Sequence, residues 1–438
     1  MTTTITRREA ILRGLFGAGY VGLRALATGL PVSAFLHPRS SLADACQNQG
    51  KGQYLILSTA STGDPLNANV AGMYDDERIS HSPNPLMAKT DLTQNGVATS
   101  AARAWAGLPQ AVLDRTVFFH HTTLTNSHAS QSKVMKLMGA IKRQEMLVSL
   151  IAKEMAPCLG TVQREPLVVG ASGPGEYLSF GGRTLPPLPP TALRDVLVRP
   201  AGVLGQLQDM RARDLDKLNA LYKEHGSADQ RLFLDRLARS QAEVRSISDA
   251  LINSLATITS NGVDGQIAAA LALIQMNVAP VVSIRLPWGG DNHNDVGLNN
   301  EALQTAASVT AIGSLQARLQ AAGLADRVSF WATNVFGRTL NADLRGTTGR
   351  DHNGSHHAAV FIGKGFRGGV VGGVELRGRD FAARSIDSQS GRAVTGGDIP
   401  YAETFGAVGK TLAHGVGLAP TVYNDLITLG KSVQSALV

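Results

Sequence analysis

The chain has 438 residues and a formal net charge of +7; hydrophobic residues make up 43%, charged residues 17% and aromatic residues 5%. This composition provides enough apolar material for a large core and too little charge for a disordered chain. Two cysteines exclude a disulfide-stapled scaffold and a cysteine-rich zinc fold, and 47 glycines favour an α/β protein with tight loops over an antiparallel barrel.

The first 45 residues are predicted to be an export signal. Arg7-Arg8 precedes a weakly apolar stretch from Gly14 to Leu36, and Ala43-Asp44-Ala45 places small residues where a signal peptidase cuts. The segment resembles a twin-arginine (Tat) signal, which predicts delivery by the Tat export machinery to the periplasm or the exterior. Arg24 and Pro31 interrupt the apolar stretch, so we expect no stable membrane span.

The remaining residues, 46–438, are only weakly basic, because five arginines lie in the export segment. The other basic residues are scattered, with no run of five or more, and we expect no nucleic-acid partner. In an oxidising compartment Cys46 and Cys158 can form one disulfide.

Residues 46–438 are predicted to form one α/β domain. Apolar runs rich in β-branched and aromatic residues predict strands at Tyr54–Ser58, Thr116–His120, Pro280–Leu286, Val328–Phe336 and Ala358–Ile362. Apolar residues at helical spacing predict helices at about Ser130–Glu154, Gln266–Met276, Glu301–Ala322, Ala402–Leu412 and Tyr423–Leu437. Strands that alternate with helices indicate a doubly wound, mostly parallel sheet with helices on both faces.

One stretch interrupts this alternation. Pro186–Pro190 predicts a rigid break in the chain. From Thr191 to Ser260 the pattern is long, charged and helical. We interpret residues 184–262, approximately, as a helical insertion or cap.

Four polar clusters follow predicted strands. The first contains Asp64, the second spans His120–His128, the third Asp291–Asp295 and the fourth Gly349–His357. Open α/β sheets bind ligands beyond the carboxyl ends of their strands, so this fold would bring the four clusters together.

Carboxylate and imidazole groups in these clusters are the ligands of a hydrolytic zinc ion, or of manganese and similar ions. Asp291 and His293 can chelate from one loop, because residues i and i+2 point the same way in an extended segment. Asp351 and His352 can serve one site or bridge two ions. Two ions about 3.5–4 Å apart would hold both the attacking and the leaving oxygen of a displacement.

Several segments resemble one bacterial protein family. These are Gly349-Arg350-Asp351-His352, Phe361-Ile362-Gly363-Lys364-Gly365, Gly368–Gly372, Asn334–Thr339, Trp288–His293 and Asn126-Ser127-His128. They are similar to a family of unknown function, often Tat-exported, within the alkaline phosphatase and sulfatase superfamily. The resemblance runs from about Tyr54 to the C terminus and is specific between Asp291 and Gly372. Val335 departs from it by replacing an acid, and Ser61-Thr62-Gly63-Asp64 replaces Gly-Gly-x-Asp.

The resemblance implies an alkaline-phosphatase-like fold with a site for two divalent metal ions. Zinc is the first candidate, with manganese, magnesium or calcium as alternatives. The residues that match its ligand positions are Asp291 and His293 with either His356 or His357 for one ion, and Asp64, Asp351 and His352 for the other.

The resemblance also implies a nucleophilic hydroxyl at a helix N-terminus, in contact with a metal. Ser127 matches this position, and Thr125 is the alternative. Metal contact and the helix dipole would lower the pKa of the hydroxyl. Arg350 or Arg338 would brace a phosphate or sulfate oxygen by a bidentate contact.

Together these features predict an exported metal-dependent hydrolase that acts on phosphate or sulfate esters, either small anionic esters or esters linked to a polymer. The alternative is a secreted binding or assembly protein that retains the fold without catalysis. Val335 and the altered loop at Asp64 favour this alternative.

Overall fold

The computed structural model describes residues 52–63, 66–161, 163–170, 177–197, 255–288, 290–345 and 348–438, with isolated helical positions between 210 and 231. The predicted export segment, Asp64 and most of the predicted insertion at about 184–262 lie outside the described residues. Cys158 is disulfide-bonded, and the other cysteine of the chain, Cys46, also lies outside the described residues.

The strands of the described chain include all five that the sequence predicts, as β1, β4, β9, β10 and β13. The strands are β1 Tyr54–Ser58, β2 Lys89–Gln94, β3 Val97–Ala102, β4 Thr116–His121, β5 Leu167–Val169, β6 Ser179–Phe180, β7 Arg183–Thr184, β8 Pro187–Leu188, β9 Val281–Ile284, β10 Val328–Ala332, β11 Gly337–Arg338, β12 His352–Asn353, β13 His357–Ile362, β14 Gly369–Val371, β15 Val374–Arg377 and β16 Asp380–Ala383.

Three of the predicted helices are present close to their expected bounds, as α6, α7 and α9. The α-helices are α1 Leu66–Asn69, α2 Gln110–Leu113, α3 Gln131–Met135, α4 Leu147–Leu159, α5 Pro190–Leu197, α6 Val263–Gln275, α7 Asn299–Ala321, α8 Ala342–Arg345, α9 Thr404–Gly415 and α10 Pro420–Leu426. Within the described ranges, no helix combines the length and the apolar composition that crossing a bilayer requires.

Eight strands form one sheet in the order β14-β4-β13-β10-β1-β9-β5-β8. Neighbouring strands are parallel except at β13, which runs antiparallel to both β10 and β4. The predicted α/β class and mostly parallel sheet are therefore confirmed.

Both faces of this sheet are buried, as the continuous apolar runs of its strands require. In β1, Tyr54 and Ile56 pack on one face, and Leu55 and Leu57 pack on the other, because successive side chains of a strand point to opposite sides. Helices α6 and α7 cover the first face, and α4 and α9 cover the second. The sheet therefore carries helices on both faces, as predicted.

The direction of β13 determines where the polar segment before it lies. His357, the first residue of β13, is paired with His121, the last residue of β4. The segment Gly349–His356 therefore reaches the edge of the sheet where β1, β4, β9 and β10 end. An antiparallel strand delivers to this edge the residues that precede it rather than those that follow it.

Two predicted helices are wrong in extent. The stretch Ser130–Glu154 contains two separate helices, α3 and α4, because Leu137 and Met138 adopt left-handed backbone conformations with φ of 50° and 53°. Leu137 instead packs against Gly409 of α9. The predicted helix Tyr423–Leu437 is also shorter, since α10 ends at Leu426 and the next residue forms a β-bridge.

The proline-rich stretch predicted as a break contributes an edge strand instead. β8 pairs with β5 alone, with Pro187 opposite Val168. Proline has no N–H to donate, and an edge strand needs hydrogen bonds on one side only. The next helix, α5, begins at Pro190.

Two pairs of histidines are buried where β4 and β13 run side by side. His120 Nδ1 lies 2.9 Å from His356 Nε2, and His121 Nε2 lies 3.2 Å from His357 Nδ1. Burial lowers the pKa of His120 to about 4 and that of His121 to about 3, and it holds the pKa of His356 and His357 well below the ordinary value. All four imidazoles are therefore neutral in the folded protein near pH 7.

We expect the free energy of unfolding to fall as the pH drops below about 6.5. Each of the four imidazoles takes up a proton in the unfolded chain near that pH, but in the folded chain only at a lower pH. Unfolding therefore consumes protons in this interval, and each group contributes up to about 1.4 kcal/mol per pH unit. Urea unfolding with a chelator present, at several pH values, measures the slope. His357→Gln should reduce it, and a pH-independent stability would contradict the neutral assignment.

Candidate metal centre

Loops from four parts of the chain pack closely at the edge defined above. The Gly349 N–H donates to the His293 carbonyl at 2.8 Å, and a Cβ at Gly349 would collide with the Asn292 carbonyl oxygen. A Cβ at Gly354 would likewise collide with the Thr125 backbone. Glycine at these two positions allows the segment before β13 to contact the loops after β9 and β4.

Four side chains converge at this edge: His128, Asp291, His293 and His352. One ligand atom from each lies within 4.8 Å of all the others. His293 Nε2 is 2.9 Å from His352 Nε2 and 3.2 Å from Asp291 Oδ1. We call these four residues the metal cluster.

The three imidazoles of the metal cluster are held in one orientation by oxygen acceptors on their Nδ1 atoms. The acceptor for His128 is the Ser61 carbonyl at 2.7 Å, and that for His352 is the Asn126 carbonyl at 2.6 Å. His293 Nδ1 is 2.9 Å from a carboxylate oxygen of Asp351. Because Nδ1 carries the hydrogen in each ring, the Nε2 lone pairs face one another and Asp291.

This arrangement fits a cation. Facing Nε2 lone pairs repel each other unless a proton or a metal ion lies between them. A tetrahedral zinc ion with bonds of about 2.0–2.1 Å to nitrogen holds neighbouring ligand atoms about 3.3 Å apart. The 2.9 Å and 3.2 Å separations at His293 are close to this value. The structure therefore contains a possible metal-binding cluster of three imidazoles and one carboxylate.

The charges around the metal cluster suit its ligands. Partial burial would raise the pKa of Asp291, but the hydrogen bond and charge of Arg338, with smaller contributions from His293 and His128, lower it below its ordinary value. Partial burial also lowers the pKa of His352, and Arg338 adds to this effect. An ionised carboxylate and a neutral imidazole are the forms that bind metals.

The structure brings three of the predicted ligands together and places Asp351, His356 and His357 elsewhere. Asp291, His293 and His352 lie in the metal cluster, although the resemblance divides them between two ions. The Asp351 side chain is 81% exposed and bonds to His293 from outside the metal cluster. Asp64 lies outside the described residues.

His356 and His357, one of which was expected to bind a metal, lie in the buried pairs beside His120 and His121. His357 begins β13 beside the end of β4, and His356 directly precedes it, so both side chains are buried rather than exposed in the loop. Both ring nitrogens of His356, and Nδ1 of His357, have hydrogen-bonding partners inside the core.

His128 is the ligand that sequence reasoning missed. It ends the polar loop after β4, next to Ser127, and so reaches the same edge as Asp291. The signal that identifies it is its place at a strand end, since a single histidine has no spacing pattern of its own.

The predicted nucleophiles lie on the loop that carries His128. Ser127 is exposed and lies between Asn126, whose carbonyl contacts His352, and His128 of the metal cluster. Its side chain does not cap the following turn. Thr125 Oγ1 accepts a hydrogen bond from the Ser127 N–H at 3.3 Å. The expected long helix is absent here: a three-residue 3-10 turn and the five-residue α3 follow. A helix dipole therefore contributes little to the hydroxyl.

Arg350 was predicted to brace a substrate oxygen, and the structure gives it a different environment. Its side chain and that of Glu301 have no solvent exposure, and the two form an ion pair with contacts of 2.6 and 3.1 Å. The remaining guanidinium hydrogens bond to Ser80 and to the Thr339 carbonyl. All five N–H bonds are thus used, and none is directed at a substrate.

Arg338, the alternative, is also fully buried but touches the metal cluster. Nη2 donates to Asp291 Oδ1 at 3.0 Å, and Nη1 lies 3.4 Å from His293 Nε2. The guanidinium therefore stabilises the Asp291 carboxylate from the protein side. No protein-family model and no curated protein matches this chain, so the geometry of the metal cluster is the main basis for a function.

We expect Asp351→Asn to weaken metal binding about 10–100-fold without changing the number of bound ions, because the carboxylate orients His293 and makes it a better donor. Competition with a chromogenic chelator measures the affinity. Asp326→Asn is the control, since Asp326 is an exposed carboxylate just before β10, at the opposite edge. Loss of one whole ion in Asp351→Asn would instead identify Asp351 as a ligand.

Arg350→Met should reduce the free energy of unfolding by about 3–5 kcal/mol, because it leaves the Glu301 charge buried without an opposite charge. Arg115→Met, which removes an exposed ion pair with Asp326, should cost less than about 1 kcal/mol. Urea unfolding with a chelator present compares the two. Equal losses would contradict a structural role for the Arg350–Glu301 pair.

Proposed function

We propose that the protein is an exported metal-dependent hydrolase of phosphate or sulfate esters. The observation that carries this proposal is the convergence of three oriented Nε2 lone pairs on the Asp291 carboxylate, on a loop surface that also bears the exposed Ser127 hydroxyl. A cation site beside a nucleophile is what ester hydrolysis through a covalent intermediate requires. The motifs between Asp291 and Gly372 provide the resemblance to the alkaline phosphatase superfamily.

The donor set favours zinc. Three imidazoles and one carboxylate suit zinc and similar transition metals, whereas magnesium and calcium prefer oxygen ligands. The metal cluster supplies ligands for one ion. The second ion that the resemblance implies would draw on Asp64 and on Asp351. When bound, a divalent ion supplies positive charge that polarises an ester oxygen and lowers the pKa of a nearby hydroxyl.

The chain's own groups have distinct parts in this reaction. His128, Asp291, His293 and His352 hold the ion. The oxygen of Ser127, or of Thr125, attacks phosphorus or sulfur, and the alcohol leaves. Water then hydrolyses the resulting serine or threonine ester, which restores the hydroxyl and releases phosphate or sulfate. The side chains of Asp291, His128 and His293 are 49%, 39% and 37% exposed, so the site opens to solvent and is accessible to small anionic esters and to esters on a polymer.

Export as a folded protein is consistent with this site. The ligands come from well-separated segments, so the site exists only after folding. The Tat-type segment at residues 1–45 would deliver the folded chain to the periplasm or the exterior, where we propose that it acts.

One observation favours the alternative, a secreted binding or assembly protein that retains the fold without catalysis. Arg338 and Arg350, the two side chains expected to brace ester oxygens, are both fully buried. Without such a brace the ion would hold an anionic partner rather than promote its hydrolysis. Activity measurements therefore discriminate between the two proposals.

We expect the purified protein to contain zinc and to unfold at a lower temperature after treatment with a chelator, because ion binding stabilises only the folded state. Asp291→Asn should remove the ion, since it neutralises the one carboxylate of the metal cluster. Elemental analysis and thermal unfolding measure both effects. A wild-type protein without any divalent ion, and with a chelator-independent melting temperature, would contradict the metal site.

Ser127→Ala should lower the hydrolysis of nitrophenyl phosphate or nitrophenyl sulfate at least about a thousandfold, with an unchanged metal content. Thr125→Ala is the matched control and should retain activity. Loss of activity in Thr125→Ala alone would assign the attack to Thr125. Tight binding of anions by a wild-type protein that hydrolyses neither ester would support the alternative function.

A further inference from the structure

The buried pair His120–His356 is connected to the metal cluster through one amide. Asn67 of α1 is fully buried, and its Nδ2 lies 3.4 Å from His356 Nδ1. The same Nδ2 donates to the backbone carbonyl of Arg338 at 3.1 Å, and Asn67 Oδ1 accepts from the Arg338 backbone N–H at 3.4 Å. Asn67 thus holds both backbone groups of the arginine that contacts Asp291.

The proton positions along this path follow from a single carbonyl. His120 Nε2 lies 2.9 Å from the Ala71 carbonyl oxygen, which only accepts, so Nε2 carries the hydrogen. The neutral His120 ring then accepts at Nδ1, and His356 Nε2 donates to it. His356 Nδ1 is left as an acceptor and faces the Asn67 amide nitrogen. The Ala71 carbonyl therefore fixes, through two imidazoles, which way the Asn67 carboxamide points.

The orientation of this carboxamide bears on the metal cluster. A flipped Asn67 carboxamide would place Oδ1 next to the Arg338 carbonyl and next to His356 Nδ1. All three atoms are acceptors, so neither contact could form a hydrogen bond. The Arg338 backbone would then have to move, together with the guanidinium that donates to Asp291 Oδ1. Gly337 leaves little room for such a movement, since a Cβ there would collide with the His356 carbonyl and with Asn67.

The hydrogen positions of the second buried pair, His121–His357, follow in the same way, but this pair does not connect to the metal cluster. His121 Nδ1 donates to the Thr122 carbonyl at 3.0 Å, so His121 Nε2 accepts from His357 Nδ1. His357 Nε2 is buried and has no hydrogen-bond partner among the described residues. This path ends inside the core. His357 is therefore a matched control for His356, with equal burial and the next position in the chain, at the start of β13.

We propose that His356 is a positioning residue of the metal centre: with His120 and Asn67 it holds the Arg338 backbone, and through it the guanidinium that fixes the Asp291 carboxylate. This inference rests on the proposed metal site. It gives His356 a role in the site without making it a ligand.

The test compares His356→Gln with His357→Gln in the full-length exported protein. Zinc affinity is measured by competition with a chelator, coordination by the visible absorption of the cobalt-loaded protein, and stability by urea unfolding with a chelator present. We expect both variants to lose similar stability. His356→Gln alone should bind zinc about 10–100-fold more weakly and change the cobalt spectrum. His356→Asn, which keeps an acceptor near the position of Nδ1, should recover part of the affinity.

Each outcome decides one point. Equal zinc affinity in His356→Gln and the wild type, or equal loss in both glutamine variants, would overturn the positioning role while the proposed metal site stands. A wild-type protein that binds neither zinc nor cobalt would overturn the metal site itself. Should His356→Gln fail to fold, Asn67→Ser makes the same test, because it removes the amide and leaves all four histidines in place.

Discussion

Arg350 and Glu301 form an ion pair without solvent exposure, and this pair holds the two halves of the metal cluster together. Arg350 precedes Asp351 and His352 in the chain. Glu301 lies in the first turn of α7, after the loop that carries Asp291 and His293. The Asp295 carboxylate in that loop accepts hydrogen bonds from the first N–H groups of the helix. A buried pair of this kind need not add net stability, but the loss of one partner is costly. The pair therefore constrains how the two loops meet.

The short helix α1 joins both buried arginines to the core. Asn69 donates to Glu301 at 2.8 Å, and Asn67 holds the Arg338 backbone. Arg350 thereby fixes the two loops, and Arg338 fixes the Asp291 carboxylate. The resemblance placed one or the other of them at the substrate. A buried guanidinium needs acceptors for its N–H groups. Arg350 has an acceptor for every N–H, and Arg338 donates to Asp291 and to the Gly290 carbonyl, so the two residues support the metal cluster instead.

The sequence predicted the sheet well and the metal cluster in part. Apolar runs identify β1, β4, β9, β10 and β13, because a strand buried on both faces is apolar at most of its positions. Spacing did not predict the left-handed residues at Leu137 and Met138, which depend on packing against α9. The resemblance placed either His356 or His357 at the metal, at the end of the polar cluster Gly349–His357. Their burial depends on the register of β13 with β4, which the sequence does not specify.

Residues that form the metal cluster are far apart along the chain: His352 is 226 positions from the carbonyl that orients it, and His128 is 67 positions from its own. No fragment of the unfolded polypeptide holds these groups together, so an ion that binds here selects the native state alone. At a thousandfold excess over its dissociation constant, such an ion would contribute about 4 kcal/mol. The heat tolerance and protease resistance of the protein would then vary with the trace-metal supply of its surroundings, even at constant expression.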